Sequence, residues 1–178
     1  MDADFLAPVL LNVSHLRVRT YAGLKRERDT LQQVLDALPP GLDLRTAGAD
    51  DLQRLGDLYS ILDDAGVHGA QGTVLAKVLH RKRPAFIPLY DEQVRGVYVG
   101  GSPAPVPEPS GYRSWRDFLI LFASAVRDDL RRESSFWESV ASLAGEPSIT
   151  PLRALDIVAW WAGDTGRRRG VRKRRKTG

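Results

Sequence analysis

The chain has 178 residues, 43% apolar and 27% charged, and its net charge of +4 is unevenly spread: residues 1–166 are net −4, and Arg167–Lys176 holds eight basic residues and no acid. Cysteine is absent and the three histidines (His15, His68, His80) never fall at an i, i+4 spacing, which excludes a disulfide scaffold and a cysteine nucleophile and argues against a zinc centre. No uncharged apolar run approaches the roughly 18 residues of a membrane span, and no basic start leads into an apolar stretch, so the expected setting is cytoplasmic with no membrane partner.

Residues 1–23 are ambiguous. Leu16, Val18 and Thr20 alternate with Arg17 and Arg19, which fits a short strand or an irregular start. From Leu24 to Leu38 the apolar positions Leu24, Leu31, Val34, Leu35 and Leu38 take helical spacing, and Pro39-Pro40-Gly41 ends the run. Asp50 to Asp64 repeats the pattern with Leu52, Leu55, Leu58, Ile61 and Leu62, and Gly66 ends it. Thr73 to Arg81 is a third, short helix. Pro84 and Pro88 then impose an extended passage up to Tyr90, and Asp91 stands where a helix over Asp91–Tyr98 needs its cap.

Residues 100–111 contain four prolines in twelve positions and read as a stiff linker or long surface loop, with a cleft expected between the halves it joins. Ser114 to Arg132 is strongly amphipathic, Ser135 to Leu143 is another short helix, and Thr150 to Trp161 closes the body with Thr150 as cap and Pro151 at the first helical position. Phe136-Trp137 and Trp160-Trp161 fit core or interface aromatics. The pairs Asp63-Asp64 and Asp128-Asp129 fit solvated helix surfaces. The predicted fold is all-α: one orthogonal multi-helix domain over residues 1–166, followed by a disordered basic tail over 167–178. The tail residues Arg167, Arg168, Arg169, Arg172, Lys173, Arg174, Arg175 and Lys176 are candidates for contact with DNA phosphates, because arginine forks match phosphate oxygens. A solvated tail that aids solubility is the plain alternative.

The informative stretch is Leu58 to Tyr98. Two helices are joined by Gly66-Val67-His68-Gly69-Ala70-Gln71-Gly72-Thr73. Glycines permit positive φ and close backbone approach, and the helix that follows offers free N–H groups to a phosphate oxygen. This segment resembles the helix-hairpin-helix motif of DNA repair proteins, although His68 lies between Val67 and Gly69 and Ala65 stands where that family carries proline. In the helix-hairpin-helix DNA glycosylases an extended apolar run about twenty residues later leads into an aspartate that opens a helix. Here Phe86-Ile87-Pro88-Leu89-Tyr90 leads into Asp91, 22 residues after Gly69, and then Glu92-Gln93-Val94-Arg95-Gly96-Val97. The run His80–Pro84 also resembles a bacterial family of uncharacterised domains carrying the same signature.

The resemblance, which covers Ile61 to Tyr98, implies a monofunctional DNA glycosylase acting on a damaged or modified base, in repair or in defence against modified viral DNA. It implies Asp91 as the catalytic carboxylate and the Gly66–Thr73 turn as the DNA contact. The lysine that marks strand-nicking members is missing near Gln71, so water is the expected nucleophile. It implies no cofactor and would permit a monovalent cation at the hairpin carbonyls. Tyr90, Tyr98 and Trp115 are candidate walls for a flipped base. Lys77, Arg81, Lys82 and Arg83, with His80 among them, are candidate phosphate contacts on an otherwise acidic body. The expected partner is DNA, bound by a monomer. Each assignment has a plainer counterpart: Asp91 as a helix cap, the cations as a solvated helix end, and the whole as a non-catalytic DNA-binding module.

Overall fold

The computed structural model describes residues 18–63, 72–99 and 104–174. Among them the chain is all-α, with eight helices and no strand: α1 Val18–Arg26, α2 Arg28–Asp36, α3 Ala49–Ser60, α4 Gly72–Lys82, α5 Glu92–Tyr98, α6 Trp115–Arg132, α7 Ser134–Ser142 and α8 Pro151–Arg174. No described helix is long and apolar enough to cross a membrane.

The strand option at the start is replaced by α1. Among the described side chains the buried positions there are Thr20, Gly23 and Leu24, at the i, i+3, i+4 spacing of one helix face and not two apart as on a strand. α2 follows after one residue and buries Leu31 and Leu35, with Leu38 just beyond its end. α3 buries Leu52, Leu55, Leu58 and Tyr59 and lies along α6, which buries Leu119, Phe122, Ala123, Val126 and Leu130. The two stripes meet as apolar faces at helical spacing must. Around that contact Arg116 bonds Asp57 at 2.9 Å and Gln53 at 2.7 Å.

α4 buries Val74, Leu75, Ala76, Val78 and Leu79, which at about 100° per residue cover a little over half of its circumference, and leaves Thr73, Lys77, His80 and Arg81 on the remaining face. Its C-terminal end turns into the extended passage, where Phe86 and Ile87 are buried and the Ala85 carbonyl accepts from Leu44 N at 2.9 Å. The Pro-rich region is a loop over the body and not a tether between lobes. Val106 is buried and donates to the Tyr98 carbonyl at 2.9 Å, and helices from either side of the loop interleave, α3 on α6 and α5 on α8.

α7 packs on α8 and buries none of its own residues. α8 starts at Thr150, whose Oγ1 accepts from Arg153 N at 3.1 Å and donates to the Pro84 carbonyl at 3.0 Å. One hydroxyl thus caps α8 and ties it to the passage that leads to Asp91. α8 outruns the Thr150–Trp161 expectation: its backbone is helical through Arg174, so most of the basic segment continues a helix anchored in the core. The α5–α8 crossing is close. A Cβ on Gly163 would run into the backbone of Gln93, so only glycine admits this approach.

Candidate functional site

Asp91 opens α5 as the spacing predicts. Its Oδ1 accepts from Gln93 N and Val94 N, each at 3.0 Å, so one oxygen satisfies two of the donors that a helix start leaves free. The passage before it is held in two further places. The His80 ring Nδ1–H donates to the Ile87 carbonyl at 2.6 Å, and Leu89 N donates to Asp156 Oδ2 at 3.4 Å.

Those contacts define a polar seam between α4, the passage and α8. Lys77 is half-buried on α4. Burial draws its amine below the ordinary lysine range, the Asp91 carboxylate opposes that, and Arg153 adds to it. His80 is lowered by burial, with the Ile87 hydrogen bond opposing and Arg153 reinforcing. Asp156, 3% exposed, projects from α8 toward the seam. Burial raises its carboxyl well above the usual range, Arg153 and the Leu89 N–H oppose the rise, and Asp91 adds to it. Two carboxyl groups and three basic side chains therefore share one seam.

Beside the seam is an aromatic recess of about 290 Å³, lined by Tyr90, Arg95 and Val99 before the Pro-rich loop and by Glu108, Arg113, Trp115 and Phe118 within and after it. Tyr90 meets Trp115 edge-on at 5.9 Å and Phe118 at 5.0 Å. Arg95 and Glu108 pair at 3.0 Å on its lining. Trp115 also covers the start of α4, since a Cβ on Gly72 would strike its ring. The first turn of α4 and the start of α5 thus meet through Trp115 and Tyr90.

Several sequence-based assignments need correction. Tyr98 is not a recess wall. It is 3% exposed, packs edge-on against Phe122 at 5.4 Å and donates its hydroxyl to Asp129 at 2.9 Å, because Val94 and Tyr98, four apart, form the buried face of short α5. Arg83 is not a phosphate contact. Its guanidinium turns inward and donates to the Leu35 carbonyl at 2.9 Å and the Lys82 carbonyl at 3.0 Å, capping the end of α2. Gly72 is buried beneath Trp115, so its small size serves packing. Lys77 stands in the seam beside Asp91 instead of on an open helix end, whereas Arg81 is exposed and Thr73 and Lys82 are half-buried. Asp63 is more than a solvated surface group: it accepts from Trp115 N at 2.7 Å and Arg116 N at 3.2 Å and so binds the start of α6.

Gly66, Val67, His68, Gly69, Ala70 and Gln71 lie outside the described residues, and with them the turn and the cation at its carbonyls; so do Arg175 and Lys176. Arg167, Arg168, Arg169, Arg172, Lys173 and Arg174 fall within the α8 backbone. Sequence reasoning missed Arg153, Asp156, Arg95, Glu108 and Phe118. Asp156 carried a usable signal, because an acid four residues after Leu152 and three before Ala159 falls on the buried face of its helix.

No curated protein and no solved structure matches the chain. A family model does match, over residues 1–163, and its description is a family of unknown function, DUF6308. The first seven helices, the start of α8 and the Asp91 seam fall within that span, and the chain belongs to this family.

Proposed function

We propose that the chain is a monofunctional DNA glycosylase that hydrolyses the N-glycosidic bond of a damaged or modified base. The observation that carries this reading is the Asp91 carboxylate, fixed by two backbone N–H groups at the start of α5 between the basic seam and the aromatic recess. Bond cleavage leaves positive charge on the sugar. A carboxylate already in place stabilises that charge without reorganising, and this kind of contribution is worth about 10²–10³ in rate. The C1′–N bond breaks, the base leaves with the bonding electrons, a water adds its oxygen to C1′, and the proton that the water gives up neutralises the departed base. Tyr90 and Trp115 supply faces for the extruded base. Lys77 and Arg153 supply positive charge for the phosphates on either side of the sugar.

The test uses the full chain on duplex oligonucleotides carrying a panel of modified bases, followed by alkali to reveal abasic sites. Asp91→Asn is the informative variant, because asparagine caps a helix as well as aspartate does and the fold should persist. The expected result is base release from one modification class, reduced about 100-fold or more by Asp91→Asn. Full activity in that variant overturns the reading.

A second reading, a non-catalytic DNA-binding module, is favoured by one specific observation: the cap by itself accounts for an aspartate at this position. It expects no base release from any substrate and unchanged DNA affinity in Asp91→Asn.

A further inference from the structure

α8 has an unusual outer face. Its inner side is filled by Leu152, Leu155, Asp156 and Ala159. Over the same turns the solvent side carries Ile157, Val158, Trp160 and Trp161, which are 46%, 38%, 45% and 65% exposed. At about 100° per residue these four span an arc of roughly 160°, so between Ile157 and Trp161 the solvent side of the helix is apolar and includes two indoles. An apolar surface of this kind marks an interaction site. The backbone then stays helical to Arg174, and the sequence puts eight basic residues and no acid between Arg167 and Lys176. Arg168 follows Trp161 by seven residues, about 10 Å along the same helix.

We propose that this face of α8 is a docking surface for single-stranded nucleic acid, with Trp160 and Trp161 stacking on unpaired bases and the positive charge that the sequence places after them drawing the strand to it. The order of the two features along one axis favours a linear polyanion. A strand running beside the helix meets flat aromatic faces first and cations next, the combination that sequence-tolerant single-strand binders use. A helix lying in an anionic lipid surface places apolar and basic residues on opposite sides along its whole length. Here they succeed one another, and Asp164 stands between them. A duplex keeps its bases stacked on one another and offers the indoles nothing, so the surface discriminates for unpaired strands. The inference does not depend on Asp91 or on any base being released.

The experiment titrates the full chain into a labelled oligothymidylate of about twelve nucleotides, into a duplex of equal length, and into phosphatidylcholine vesicles with and without phosphatidylserine. The expected result is at least about tenfold tighter binding to the single strand than to the duplex. The Trp160→Ala/Trp161→Ala double variant should lose about tenfold or more on the single strand and change little on the duplex, and the Trp160→Phe/Trp161→Phe variant should recover most of that loss. Equal affinity for single strand and duplex overturns the proposal. So does an alanine variant with unchanged single-strand affinity. Vesicle binding that the alanine variant loses while oligonucleotide binding persists assigns the face to lipid, and a dimer in light scattering that the variant abolishes assigns it to a second copy; either overturns the proposal.

Discussion

Asp91 at the start of α5 and Asp156 on the inner side of α8 belong to one seam, where Asp91 acts on Lys77 and Arg153 acts on Asp156, yet their surroundings differ. Asp91 is partly exposed, and two backbone N–H groups bond one of its oxygens. Asp156 is enclosed, has one long bond from Leu89 N at 3.4 Å, and is raised by its burial. Asp156 holds its proton more tightly than a free aspartate does and anchors the passage that leads into Asp91.

The largest expected effects separate the two acids by activity. Asp91→Asn should cost about 100-fold or more in base release with the thermal midpoint unchanged, while Asp91→Ala should in addition lose about 1 kcal/mol of stability with the cap. Asp156→Asn should leave turnover of the same substrate within about tenfold, because the residue acts only through the Leu89–Asp91 passage. A larger loss in Asp156→Asn than in Asp91→Asn would reverse the assignment.

Gly163→Ala attacks the geometry that brings the two regions together. Its added methyl would meet the Gln93 backbone, two residues beyond Asp91, so α5 and α8 must separate. Overpacking of this kind costs about 1–3 kcal/mol, and the cost falls on both acids at once. Chemical denaturation should show the loss. A variant as stable as the parent would mean that the crossing is looser than described.

The sequence made the helix faces legible because spacing alone determines them: Leu52, Leu55 and Leu58 on α3, and Leu119, Phe122, Val126 and Leu130 on α6, recur at turns of 3.6 and are buried. Asp91 was legible for a similar reason, as a short acid just before a helix. The failures are of another kind. Tyr90 and Tyr98 looked equivalent, but one lies on the extended passage and the other on the inner face of α5, which only the packing of α5 against α8 and Phe122 decides. Arg83 looked like its neighbours Arg81 and Lys82 until the end of α2 came to lie beside it. Trp160 and Trp161 are a different case: of the core and the interface that their type allows, only the interface remains, because the inner face of α8 is filled by Asp156 and Ala159 and the two indoles are exposed.

The pH dependence of stability tests the contrast between the acids by a different route. Asp156 has its folded pKa raised above the unfolded value, so the native state binds the extra proton. The stability this contributes is fully present below the ordinary aspartate range and is lost as pH rises toward the raised value. Asp156→Asn is neutral at every pH and removes that dependence. Denaturation midpoints at about pH 5 and about pH 8 should therefore show the variant gaining on the parent as pH rises. A variant that loses ground to the parent as pH rises would mean that Arg153 and the Leu89 N–H outweigh burial and hold Asp156 as a carboxylate.

Two tyrosines near the same acids give the smallest and sharpest contrast. The Tyr98 hydroxyl donates to Asp129 at 2.9 Å, and Tyr98→Phe leaves that carboxylate short of a donor, at a cost of about 1 kcal/mol. The Tyr59 hydroxyl is fully buried with no partner among the described residues, and its pKa is raised by burial first and by Asp156 second. A hydroxyl in that position is desolvated without compensation, so Tyr59→Phe should be neutral or stabilising by up to about 1 kcal/mol. The two substitutions delete the same atom from the same residue type in one core, and paired melts should move in opposite directions or leave Tyr59→Phe unmoved. If Tyr59→Phe is as costly as Tyr98→Phe, the Tyr59 hydroxyl has a partner in solution, and Asp156, the acid that acts on it across the core, is the first group to examine. That result would also weaken the case for Asp156 as an isolated inner acid, because a shared hydrogen bond from Tyr59 would stabilise its charged form.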